Sequence, residues 1–130
     1  MTPQEIVDIC LALPGTYLDY PFGPDSAVCK VKAPSMEKGR IFAIAFALRG
    51  EPLASFNCDA PTGEFYRQVY PGAVTRGWHC PPVQQPYVNT VTLDGSVPDE
   101  ELLRMAEHAY RVVKAKLPKK YQRELEEEAL

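Results

Sequence analysis

The sequence predicts an α+β domain. Three observations carry that class: an amphipathic helical pattern opens the chain, a longer one closes it, and between them short β-branched and aromatic runs alternate with Pro- and Gly-rich turns. At 130 residues the chain suits a single domain spanning 1–130, with residues 119–130 as a charged C-terminal extension.

The first helix is signalled by Thr2 as cap, Pro3 at the first helical position and Glu5 as the reciprocal capping partner. Ile6, Ile9, Cys10 and Leu13 then lie on one face, and Pro14-Gly15 stops the helix. Residues 16–26 carry so many breakers that a loop is expected. A strand over 28–32 places Lys30 and Lys32 toward solvent, and a second over 40–48, rich in Ile41, Phe42, Ile44 and Phe46, reads as central and well covered. Pro34 and Gly39 between them suggest a hairpin with a longer tip, and after Arg49-Gly50-Glu51-Pro52 a third strand over 53–57 continues an antiparallel meander.

A short helix is expected over 64–70, starting near Pro61 or Thr62 and weakened by Gly63. Residues 72–86 read as irregular, because Gly77, Pro81, Pro82 and Pro86 interrupt any ladder. Residues 87–93 read as the last strand, ending at Asp94-Gly95. The long helix follows, with Ser96 and Asp99 spaced as a capping box and an apolar stripe through Leu102, Met105, Ala106, Ala109, Tyr110, Val113 and Leu117, before Pro118 ends it. Beyond Pro118, a basic stretch passes into Glu124–Glu128 as an additional short helix or a frayed tail.

Composition narrows the function classes. With 45% hydrophobic and 24% charged residues, and no apolar run near the roughly 20 residues needed to cross a bilayer, a soluble protein without membrane association is expected. The N-terminus lacks a secretory pattern, so a cytoplasmic location is expected. The net charge of −3 argues against a generally basic surface but leaves room for a local patch. Cys10, Cys29, Cys58 and Cys80 are too scattered for a metal motif, and the adjacent His79-Cys80 would point apart on extended backbone, so neither a metal site nor disulfides are expected. No cofactor is implied.

Several motifs in a fixed order carry more information than any one of them. Pro21-Phe22-Gly23, Tyr70-Pro71-Gly72 with His79, Leu93-Asp94-Gly95 with Val97-Pro98-Asp99-Glu100-Glu101-Leu102, and Tyr110 with Lys116-Leu117-Pro118 together resemble the MmcQ/YjbR family of small bacterial proteins. The resemblance implies a compact CyaY-like fold, in which helices cover one face of an antiparallel sheet, and a DNA-binding role described as a double-wing arrangement. The chain departs from the family where members usually carry a Lys after the third strand, here Asn57, and where they follow the His with Asn-Lys and then Trp. Here His79 runs into a proline-rich segment that reaches Tyr87. Fewer cations predict weaker and less salt-sensitive DNA binding.

For a nucleic-acid surface the candidates are Lys30, Lys32, Lys38 and Arg40 around the first hairpin, and Lys116, Lys119 and Lys120 at the end of the long helix. Their ordinary structural roles are exposed strand positions and cations that complement a helix C-terminus. For a ligand or partner pocket the candidates are Tyr20, Phe22, Trp78, His79 and Tyr87, against the alternative that Phe22 and Trp78 pin loops onto the core. No motif places a carboxylate or nucleophile beside His79, so no catalytic residue is assigned. The readings are a DNA-binding module or, alternatively, a protein-interaction or small-ligand domain; the sequence does not indicate an oligomeric state.

Overall fold

The computed structural model describes residues 1–77 and 80–129. Helix α1 (Pro3–Leu11) starts with the expected box: the Thr2 hydroxyl accepts from Glu5 N at 3.1 Å and the Glu5 carboxylate accepts from Thr2 N at 3.0 Å. Strands β1 (Thr16–Asp19), β2 (Ser26–Val31), β3 (Arg40–Leu48) and β4 (Glu51–Asn57) follow, then α2 (Ala60–Val69), β5 (Val74–Arg76), β6 (Val88–Thr92), α3 (Asp99–Ala115) and α4 (Lys119–Glu128). The six strands form one antiparallel sheet in the order β1-β2-β3-β4-β6-β5.

The sheet is covered on one face by helices. Ile6, Val7 and Cys10 of α1 and Leu102, Met105, Ala106, Ala109, Tyr110 and Val113 of α3 are buried with Cys29, Val31, Phe42, Ala43, Ala45, Ala54 and Phe56 of the sheet. Ala45 and Ala54 are cross-strand partners at its centre, and side chains this small let the helices approach closely. The edge of the Phe42 ring packs against Tyr110, with centroids 5.7 Å apart, and the Tyr110 hydroxyl donates to Pro14 O at 2.6 Å, tying α3 to the end of α1. Desolvation pushes that hydroxyl up to about 12, so it stays a donor.

Three sequence expectations need correction. The 16–26 segment is not all loop: residues 16–19 form the edge strand β1, paired from Thr16–Val31 to Asp19–Val28, with an Asp19–Lys30 ion pair at 2.7 Å. The 72–86 segment is not all irregular, since Val74–Arg76 pairs with β6. In both cases pairing with the next strand in the chain supplies ladder bonds that local propensity does not foresee. Ser96 and Asp99 form no capping box: Ser96 N donates to Asp94 at 3.0 Å, α3 starts after Pro98 without a side-chain cap, and Asp99 instead meets the N-terminal amine of Met1 at 3.2 Å.

Helix α2 begins at Ala60, one residue before the expected Pro61. Asp59 caps it by accepting from Thr62 N at 2.8 Å, and Gly63 sits inside it for a packing reason, because a Cβ there would stand 2.6 Å from Cys58 Sγ. The charged C-terminal stretch is helical, and Leu125 of α4 is fully buried. It packs over Gly15, whose φ of +71° and contact with Leu125 leave no room for a side chain. Glu124 accepts from Ser35 N at 2.9 Å and also from the Ser35 hydroxyl, so α4 rests on the loops that flank β1 and β2.

Candidate nucleic-acid interface

The strand directions sort the candidate residues to opposite ends of the sheet. β3 begins at Arg40 and β4 ends at Asn57, so both stand at the end where α3 terminates. There Arg40, Ile41, Asn57, Val113, Lys116 and Leu117 line a cleft of about 360 Å³. Its walls carry two cations and an amide over an apolar floor, with no carboxylate among the described lining residues. The Lys116 ammonium also stands 5.9 Å from the centre of the Tyr87 ring, which is 47% exposed. Tyr87 is held there by its backbone: Cys58 N donates to Tyr87 O at 2.9 Å, directly after Asn57 in the chain.

Lys116 is available because other residues perform the tasks expected of helix-end cations. The Gln122 side-chain amide donates to Ala115 O at 3.2 Å and to Leu117 O at 2.7 Å, satisfying carbonyls at the end of α3. Lys114 faces Glu126 at 3.8 Å. Nothing in the local sequence marks Gln122 for this role, because the bonds exist only once α4 turns back at Pro118. That turn also relocates Lys119 and Lys120: they open α4, where the helix dipole adds to their charge instead of offsetting it. Among the described residues, Lys38, Arg40, Lys116, Lys119 and Lys120 form no ion pair.

The other predicted cations are placed differently. Lys30 is bound to Asp19 with its side chain mostly covered, a correction to its expected position toward solvent; hydrogen bonding with this partner raises the Lys30 pKa and lowers that of Asp19. Lys32 lies near Glu124, whose carboxyl is held low chiefly by Ser35, with Lys120 and Lys32 adding to the effect. Lys38 is exposed, but its connection is no free wing: Ala33 and Met36 are buried in it and Ser35 is anchored to α4. Arg40 and Lys116 thus meet although 76 positions separate them (116 − 40), while Lys30 points elsewhere.

Among the described residues, the aromatic candidates stand at two ends of the sheet. Tyr20 lines a shallow depression with Gly23 and Pro24 at the far end of the sheet, and Phe22 is 67% exposed, so it does not pin its loop onto the core. Trp78 and His79 lie outside the described residues. Beside the cleft, Cys58 is buried and its thiol is pushed up to about 11, chiefly by desolvation. His108 accepts from Asp59 N at 3.2 Å, and burial lowers its pKa against the opposing pull of Asp59.

Comparison with known proteins fixes the lineage. A YjbR family model matches residues 11–112. The chain belongs to the YjbR family. Among solved structures, this YjbR protein is similar to a Deinococcus radiodurans protein with a DUF419 domain, at 30% identity, a TM-score of 0.83, and coverage of 95% of this chain and 87% of that one. A Pseudomonas syringae protein shares the fold at 16% identity and a TM-score of 0.67, over 87% of this chain and 99% of that one. No curated protein matches. Arg40, Asn57 and Tyr87 fall within the family match, whereas Lys116, Lys119 and Lys120 follow it.

Proposed function

We propose that this YjbR protein is a DNA-binding module whose contact surface is the basic end of the sheet, and that its role is binding without catalysis. The observation that carries this reading is the meeting of Arg40 and Lys116 in one cleft, with Lys119 and Lys120 a few residues further on at the start of α4. Cations outside ion pairs attract phosphates and release condensed counterions, and an acidic molecule can hold such a patch locally. Phosphate contacts carry no sequence information, so binding through these cations is sequence-tolerant.

The test is fluorescence anisotropy with a labelled duplex across a salt series. Four cations in contact give a slope of log affinity against log salt of about −3 to −4. Arg40→Ala and Lys116→Ala each weaken binding for all sequences and reduce the slope by about 1. Absence of binding at low salt overturns the reading.

A second reading draws on the far end, where the exposed Phe22 and Tyr20 offer an aromatic interaction surface. It expects a partner whose binding is insensitive to salt and lost in Phe22→Ala.

A further inference from the structure

The cleft is the right size for a small unit as well as a place for phosphates. At about 360 Å³ it falls in the lower part of the range of small-ligand sites, roughly 300–1,000 Å³. A duplex keeps its bases stacked and paired, so it could place only phosphates at the mouth. The half-buried Ile41 and the Asn57 amide would then remain unused, while Val113 and Leu117 belong mainly to the core.

The neighbouring aromatic is fixed before any ligand arrives. Tyr87 ends a 3-10 turn over Gln85–Tyr87; its own N donates to Gln84 O at 2.9 Å and its O accepts from Cys58. Pro81, Pro82 and Pro86 restrict the backbone leading to it, which removes freedom that binding would otherwise have to quench. An exposed ring with a cation at 5.9 Å is a stacking platform beside a phosphate donor set.

We propose that the cleft formed by Arg40, Asn57 and Lys116, with Tyr87 at its rim, binds one nucleotide of an unpaired DNA strand. The phosphate lies between the Arg40 guanidinium and the Lys116 ammonium, Asn57 meets the sugar or base edge, and the base stacks on the Tyr87 ring. Stacking is tolerant of base identity because every base has a π-face. The proposal rests on the DNA-binding reading and adds to it a preference for single strands or frayed ends.

The test uses the full chain with a labelled oligothymidine of about 12 nucleotides, free and paired with its complement, at low salt. The single strand is expected to bind about tenfold more tightly than the duplex, Tyr87→Ala to remove that advantage, and Tyr87→Phe to keep it. Because the Tyr87 ring is half exposed and its backbone bonds survive substitution, the duplex affinity of Tyr87→Ala serves as its own folding control. Equal affinity for both forms, or a single-strand advantage unchanged in Tyr87→Ala, overturns the nucleotide site and leaves the phosphate surface standing. Failure of both forms to bind overturns the two readings together.

Discussion

The end of the sheet that carries Arg40 and Lys116 differs from the end that carries Tyr20 and Phe22 in how its exposed groups are held. At the basic end, side chains are positioned mostly by long-range contacts: Leu125 over Gly15, Glu124 on Ser35 and Cys58 on Tyr87, with Gln122 adding a local one at the end of α3. At the far end the contacts are mostly local. The Asp19 carboxylate caps Tyr20 N at 2.8 Å, Gly23 N returns to Tyr20 O at 3.2 Å, and Arg49-Gly50 forms a two-residue hairpin turn with positive φ at both positions. The acidic Asp94, Asp99, Glu100 and Glu101 gather there, so α3 runs from an acidic end to a basic one. A site assembled from distant segments depends on global stability, whereas a local turn survives much rearrangement around it.

The largest effect should come from Leu125→Ala, which removes a fully buried side chain from α4 and is expected to cost about 2–5 kcal/mol by denaturant unfolding. DNA affinity should fall with it because Lys119 and Lys120 ride on that helix; normal stability would show that α4 is not what secures the basic end. A smaller effect distinguishes the two ends by pH. His108 has a folded pKa below its ordinary 6.5, so the unfolded chain binds the proton more readily and stability declines as pH falls below about 6.5. Asp19 and Asp94 at the far end are held below 3.8, mainly by hydrogen bonds from Lys30 and Ser96, so their contribution is present above that pH and is lost only as pH falls through and below it. His108→Gln should flatten the stability curve just below pH 6.5 and leave the limb governed by the carboxylates unchanged; a curve identical to the parent's would refute the assignment. The smallest effect belongs to Phe22→Ala, expected to shift unfolding by no more than about 0.5 kcal/mol because the ring is exposed. A loss of several kcal/mol would mean that Phe22 pins the core after all.

The elements that could be read from the sequence were those whose signals are local. The Thr2–Glu5 box, the stripe from Leu102 to Val113 and the unbroken apolar run of β3 follow from side-chain periodicity and capping chemistry alone. Their agreement with the YjbR family pattern has the same origin, because Pro21-Phe22-Gly23 and Pro71-Gly72 are turn punctuation and Val97 to Leu102 is a helix start. Strands β1 and β5 could not be read in this way: four and three residues long, they owe their conformation to β2 and β6.

The chain's own sequence therefore determined the α+β class, the placement of the long helices, the central strand and the presence of two basic groups, since each depends on residues a few positions apart. Only the tertiary structure decided which cations lie together. It neutralised Lys30 with Asp19, turned Lys119 and Lys120 into the start of a new helix, and brought Arg40, Asn57, Tyr87 and Lys116 to one place. The reason is physical: a side chain's availability depends on the partners that folding brings to it, and for these residues the partners come from strands, loops and a helix remote in the chain.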